Sequence, residues 1–166
     1  LPIFRILHSA FLTKDRIPEV GLDHYISTNR LISRTIGAAI EGSASARVAL
    51  ISSGAAQEFD GCQDASSSLQ CNPYGFLKHQ EELAISEIAP TQIFRIYGLT
   101  GRFIRDPHKF ALGDFLLKAK ARLPIEIASR RQVIRGYGHA TDIARSALYW
   151  LASDDRSEEH TSELQS

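Results

Sequence analysis

The sequence predicts an α/β fold with a parallel, layered sheet. Two observations carry this. Ile3 to Leu7, Arg47 to Ile51 and Gln92 to Ile96 are short apolar runs of strand length. The segments between and after them are longer and carry apolar residues at helical spacing, as in Ile26, Ile32, Ile36 and Ile40. Strands that alternate with helices must run parallel and be joined by crossovers, which builds a layered sheet.

Taken in order, Ile3 to Leu7 reads as a strand and Asp23 to Ile40 as a helix. Arg47 to Ile51 is the next strand, closed by Ser52-Ser53-Gly54, and the polar stretch Gln57 to Asn72 reads as a long loop that a substrate could meet. Asn72-Pro73 is a helix-start signal, so Tyr74 to Ile88 is predicted helical. Gln92 to Ile96 follows as a strand and Ala111 to Ala121 as a helix. Ile125 to Ala128 and Gln132 to Ile134 are expected as short strands flanking the basic turn Ser129-Arg130-Arg131, and Asp142 to Trp150 as a closing helix capped by Thr141.

Composition narrows the function classes. A chain of 166 residues that is 43% hydrophobic can bury a real core as one domain. Its 19 basic and 19 acidic side chains cancel, so no electrostatic footprint for nucleic acid or an anionic membrane is visible. No run approaches the roughly 18 apolar residues of a membrane helix, and a cytoplasmic setting is expected. Cys62 and Cys71 lack a second metal-ligand pair and read as reduced loop thiols; no metal is expected.

The chemistry-bearing feature is a hydroxyl at a strand end, Ser53, followed by Tyr74 and Lys78 on one helix face. Residues four apart on a helix lie one above the other, so an ammonium at 78 is expected beneath the phenol of Tyr74, where it favours the tyrosinate. A free tyrosine titrates near pH 10, so a usable base near neutrality needs about 4 kcal/mol of preference for the anion. Burial pushes the other way. A cation about 4 Å away supplies on the order of 4 kcal/mol at an effective dielectric of about 20. Ser53 would hold the reacting oxygen in line.

Around this set, several ordered motifs resemble the extended short-chain dehydrogenase/reductases, specifically the NAD-dependent epimerase/dehydratase group acting on nucleotide sugars. Leu7-His8-Ser9-Ala10 looks like the strand-end loop beside the cofactor, and Asn29 falls where the next helix carries an asparagine. Ile51-Ser52-Ser53-Gly54-Ala55-Ala56 resembles the catalytic serine strand, Pro73-Tyr74-Gly75 through Lys78 the catalytic helix, and Phe94-Arg95-Ile96-Tyr97 the next core strand. Ile134-Arg135-Gly136-Tyr137-Gly138-His139-Ala140-Thr141-Asp142-Ile143-Ala144 resembles the substrate-side motif whose arginine contacts the nucleotide diphosphate. The resemblance implies catalysis by Ser53, Tyr74 and Lys78 and an NAD or NADP cofactor. It assigns cofactor contacts to His8, Ser9, Ala10, Asn29, Ser52, Tyr74, Lys78 and Tyr97, and substrate contacts to Ser53, Gly98 and Arg135. The implied partner is a nucleotide sugar, with a homodimer among the assemblies it allows.

Departures from the family pattern refine this. No GxxGxxG turn occurs, and no methionine, so the resemblance implies a partial Rossmann-type sheet over residues 1–155, without the family's first three strands and without the turn whose amides cradle the cofactor pyrophosphate. Residues 156–166 look like the translation of a common sequencing-adapter oligonucleotide and are set apart from the fold. Gly54 and Ala55 stand where related dehydratases carry an acidic pair, which disfavours dehydration and leaves C4 epimerisation or keto-sugar reduction. Gly98 stands where many relatives place an asparagine on the substrate. The alternatives are a non-catalytic dinucleotide-sensing protein on the same fold, which would need none of Ser53, Tyr74 and Lys78, and an inactive fragment.

Overall fold

The computed structural model describes residues 5–43, 46–61, 69–127, 132, 134 and 136–153. Strand β1 (Arg5–His8) leads through a short helix α1 (Ile17–Val20) into the long helix α2 (Leu22–Glu41). Gly21, with φ near +81°, makes the break between the two helices in a backbone region that other residues avoid. Strand β2 (Arg47–Ser53) runs into a 3-10 turn (Gly54–Phe59), then helix α3 (Pro73–Ile88) and strand β3 (Thr91–Ile96). Beyond these lie β4 (Leu99–Thr100), α4 (Ala111–Lys120), β5 (Gly138–His139) and α5 (Ala140–Ala152).

The sheet is parallel with order β1-β2-β3, as the alternation of elements predicts. Its central strand is buried on both sides, and alternate side chains serve opposite layers. Val48 and Leu50 pack with Ile40 of α2 and Ile85 of α3, while Ala49 faces Ala147 and Leu151 of α5. Helix α3 starts as Asn72-Pro73 predicts: the Asn72 side chain accepts the Gly75 amide at 3.0 Å, and Pro73 takes the first-turn position where no amide is needed.

Four expectations change. Residues 125–127 form no strand, and Ile125 and Ile127 are exposed. Apolar residues after Pro124 mimic a strand, but among the described residues no strand pairs with them. Gln132 and Ile134 are likewise outside any strand. A second small parallel sheet instead joins β4 to β5, pairing Leu99 with Gly138 and Thr100 with His139; two-residue strands are too short to leave a periodic signal. The stretch expected as one loop from Gln57 begins inside the 3-10 turn and is helical again at 69–71, and the cap of α5 is His139, whose ring accepts the Thr141 amide, rather than Thr141.

Tyr25 of α2 is fully buried, and its hydroxyl has no hydrogen-bond partner among the described residues. Burial accordingly pushes its phenol well above the usual range. Since the ring supplies the packing and the hydroxyl has at most a weak contact with the Asn29 side chain, Tyr25→Phe is expected to cost less than about 1 kcal/mol, against roughly 3–5 kcal/mol for Tyr25→Ala. Urea unfolding of both variants checks this; a phenylalanine variant as damaged as the alanine one would refute it.

Candidate active site

The register of the sheet places Ser53 beside Ile96, so β2 and β3 finish together, while β1, whose His8 lies beside Leu50, stops three residues earlier on the way to the same edge. Open parallel sheets bind ligands at the carboxyl ends of their strands. A cleft of about 580 Å³ lies there, and Ser9, Ser52, Tyr74, Lys78, Tyr97 and Gly98 all line it. Six of the residues singled out in the sequence thus share one cavity, drawn from the ends of three strands and one helix.

Close packing brings α3 to this edge. A side chain at Gly75 would meet the Ala55 carbonyl at 2.5 Å and the Phe59 ring at 2.9 Å, so a glycine directly after Tyr74 lets the helix rest on the 3-10 turn that follows Ser53. Ser53, expected to hold the reacting oxygen, caps that turn, its hydroxyl accepting the Ala55 amide at 3.2 Å, and it is not among the residues that line the cleft, where Ser52 stands instead. Its neighbour Ser52 points the other way and donates to the buried carboxylate of Glu82. Glu82 also accepts from Arg95 of β3, through Nε at 3.1 Å and Nη2 at 2.6 Å, and Arg95 closes a fork on Asp60 at 2.6 and 2.7 Å. The Asp60 and Glu82 carboxylates push the Arg95 guanidinium well above its ordinary range, and Arg95 pulls Asp60 below the usual carboxylate range.

Tyr74 and Lys78 meet through a third residue. The Phe11 ring stands edge-on to Tyr74, with centroids 5.7 Å apart, and the Lys78 ammonium lies 4.0 Å from the same ring's centroid. Lys78 donates to the Ile51 carbonyl at 3.1 Å and to Glu81 at 2.9 Å, and among the described residues no hydrogen bond joins it to Tyr74. The Glu81 carboxylate offsets part of the ammonium's field, so the figure of about 4 kcal/mol for an isolated cation is an upper bound on its effect at Tyr74. Burial pushes Lys78 below its ordinary range against the pull of Glu81 and Glu82. Burial pushes Glu81 up, but the hydrogen bond from His8 and the charge of Lys78 outweigh it and leave the carboxyl below the usual range.

The remaining residues sit around the cleft in different ways. His8 is buried and directs Nε2 at Glu81, 3.0 Å away, rather than at the cleft. Asn29 is buried in α2 and clamps the backbone of Leu12, accepting its amide at 2.8 Å and donating to its carbonyl at 3.1 Å, which fixes the loop that carries Phe11. Ala10 is exposed in the same loop. Tyr97 lies across Gly54, where any side chain would come within 2.3 Å of its ring, and its hydroxyl reaches Gln57 at 2.5 Å. Gly98 is covered by the Tyr137 ring, which a side chain at 98 would approach to 2.7 Å. Arg135 and the turn Ser129-Arg130-Arg131 lie outside the described residues.

Sequence reasoning missed Phe11 and Glu81. Phe11 carries no pattern of its own, and Glu81-Glu82 in mid-helix reads as a solvated face, although both carboxylates are buried. The available signal for Glu81 was its spacing, one turn after Lys78.

No family model and no curated protein matches this sequence. Solved structures do match it. MoeE5 in complex with UDP-glucose and NAD superposes with a TM-score of 0.65 at 20% identity, over 93% of this chain and 54% of that one. UDP-glucose 4-epimerase with UDP-glucose from Thermotoga maritima gives a TM-score of 0.65 at 15% identity, over 91% and 52%. TunA, an NAD-dependent NDP-hexosamine 5,6-dehydratase of tunicamycin biosynthesis, gives 0.63 at 17%, over 90% and 52%. This chain spans about half the length of these structures. It has their Rossmann-type fold, a parallel sheet with flanking helices, over that half.

Proposed function

We propose that this chain carries the hydride-transfer site of an NAD(P)-dependent nucleotide-sugar epimerase or keto-sugar reductase. The observation that supports it best is the convergence of Ser52, Tyr74 and Lys78 on one cleft at the carboxyl edge of a parallel sheet. MoeE5, of the same fold, holds UDP-glucose and NAD. The cleft, at about 580 Å³, falls within the size range of small-molecule sites, and a buried lysine and a phenol on its wall suit the hydroxyls of a ribose and a sugar. With no GxxGxxG turn in the sequence, the chain offers contacts for the nicotinamide-ribose half of such a cofactor and none of the usual cradle for its pyrophosphate.

When bound, that cofactor supplies or accepts the hydride. Tyr74 takes the proton of the sugar hydroxyl in the oxidising direction and returns it in the reducing one, and Ser53 orients the reacting oxygen. Lys78 holds hydroxyls at the floor, and Arg135 pairs with the diphosphate. The reading carries a cytoplasmic setting and a domain over residues 1–155, and it allows a homodimer; among the described residues no helix is long and apolar enough to cross a membrane.

The fold alone does not decide the reaction, since TunA is a dehydratase. Here the Tyr97 ring fills the space above Gly54, and neither Gly54 nor Ala55 carries an acid beside Ser53. Incubated with UDP-hexoses and NAD(P), the protein carrying this site is expected to yield a C4 epimer or a reduced sugar. Mass spectrometry showing loss of water from the hexose would overturn the assignment, and no turnover at all would return the site to a binding role.

A further inference from the structure

We propose that Glu81 is a positioning residue: its carboxylate, braced from β1 and α2, fixes the Lys78 ammonium at the floor of the cleft. The inference rests on the reading of Tyr74 and Lys78 given above. An ammonium has three protons to place, and Lys78, only 4% exposed, has little water to receive them. One goes to the Ile51 carbonyl at the end of β2 and one to Glu81, while the Phe11 ring stands over the nitrogen. Without a counter-ion, burial at this depth would strip the lysine of its charge.

Glu81 is held in turn. It is 1% exposed, and the oxygen that does not face Lys78 accepts from His8 Nε2 at 3.0 Å and from the Ser33 hydroxyl of α2 at 3.2 Å. Three elements therefore converge on one carboxylate, which cannot rotate without breaking bonds to two of them. A buried ion pair adds little net stability over an apolar pair of the same volume, so its placement against the one lysine of the cleft is what calls for a role. The other charged groups are accounted for. Glu82 also pulls on Lys78 but is itself bound to Arg95 of β3 and to Ser52; Arg30 and Arg34 of α2 line a groove on the outer side of Glu81; Tyr74 stands one turn before Lys78. None of these replaces the direct contact at 2.9 Å.

The test follows the Lys78 side-chain resonances through a pH titration of the lysine-labelled chain, assigned with Lys78→Arg. Glu81→Gln keeps an acceptor and the shape but removes the charge, and Lys78 is expected to lose its proton at least about one pH unit lower. Glu81→Asp should fall between, and Ser33→Ala should leave the titration within about 0.3 units. In turnover assays the alkaline limb of kcat/KM should move by the same amount. A structural brace alone would lower the melting temperature of Glu81→Gln and leave the Lys78 titration in place, and that result overturns the proposal. If Glu81→Gln does not fold by circular dichroism, Glu81→Asp is read in its place, because it draws the carboxylate back from the ammonium; a shift in the same direction supports the role and an unmoved titration overturns it. The titration needs no substrate, so a shifted Lys78 in a protein that turns over no nucleotide sugar supports Glu81 while sinking the catalytic reading.

Discussion

Tyr74→Phe is expected to lower kcat at least about 100-fold in the protein carrying this site, while KM for the nucleotide sugar stays within about threefold. In the proposed reading the Tyr74 phenol on the cleft wall exchanges the substrate's hydroxyl proton, and the substitution removes only that oxygen. The ring's edge contact with Phe11 at 5.7 Å survives, as does the tight seat of Gly75 on the 3-10 turn, so the variant should fold and bind as the parent does. Loss of a group used only in the transition state lowers kcat and kcat/KM together, whereas loss of a binding contact raises KM. Steady-state kinetics beside a thermal melt separate the two. Near-normal turnover by the phenylalanine variant would remove Tyr74 from the mechanism.

The order of elements was legible because each rests on a local signal: the apolar strand runs, the isoleucine stripe of α2, and the Asn72-Pro73 start of α3. The edge on which the site lies follows from the same reading, since parallel strands ending in Ser53 and Ile96 must open on one side. What escaped depends on contacts between residues far apart in the chain. Nothing near Phe11 announces that its ring will touch both Tyr74 and Lys78, because its place is set by Asn29 gripping Leu12 across α2. The helical spacing of Tyr74 and Lys78 suggested a direct pairing, but side-chain direction decides the outcome, and Lys78 turns instead to the Ile51 carbonyl and Glu81. Ile125 and Ile127 misled in the opposite sense, because an apolar run signals a strand only when a partner strand is in reach.

Glu82→Ala should be strongly destabilising, at about 3 kcal/mol, which for a chain of this size lowers the melting temperature by roughly 6–12 °C. Glu82 is buried and receives the Ser52 hydroxyl together with two nitrogens of Arg95. Removing it leaves a buried hydroxyl without its acceptor and a guanidinium without its inner counter-ion. The cost sits at the low end of the range for broken buried pairs because the Arg95 side chain is 26% exposed and keeps its fork on Asp60. Glu82→Gln, which preserves the acceptor, should lose less than half as much. The damage should also spread to the cleft, since Ser52 lines it and Ser53 follows directly on the strand that Glu82 anchors. Differential scanning calorimetry of the two variants decides the point: an alanine variant melting within about 2 °C of the parent would mean that Asp60 alone suffices as counter-ion to Arg95 and that Glu82 anchors nothing.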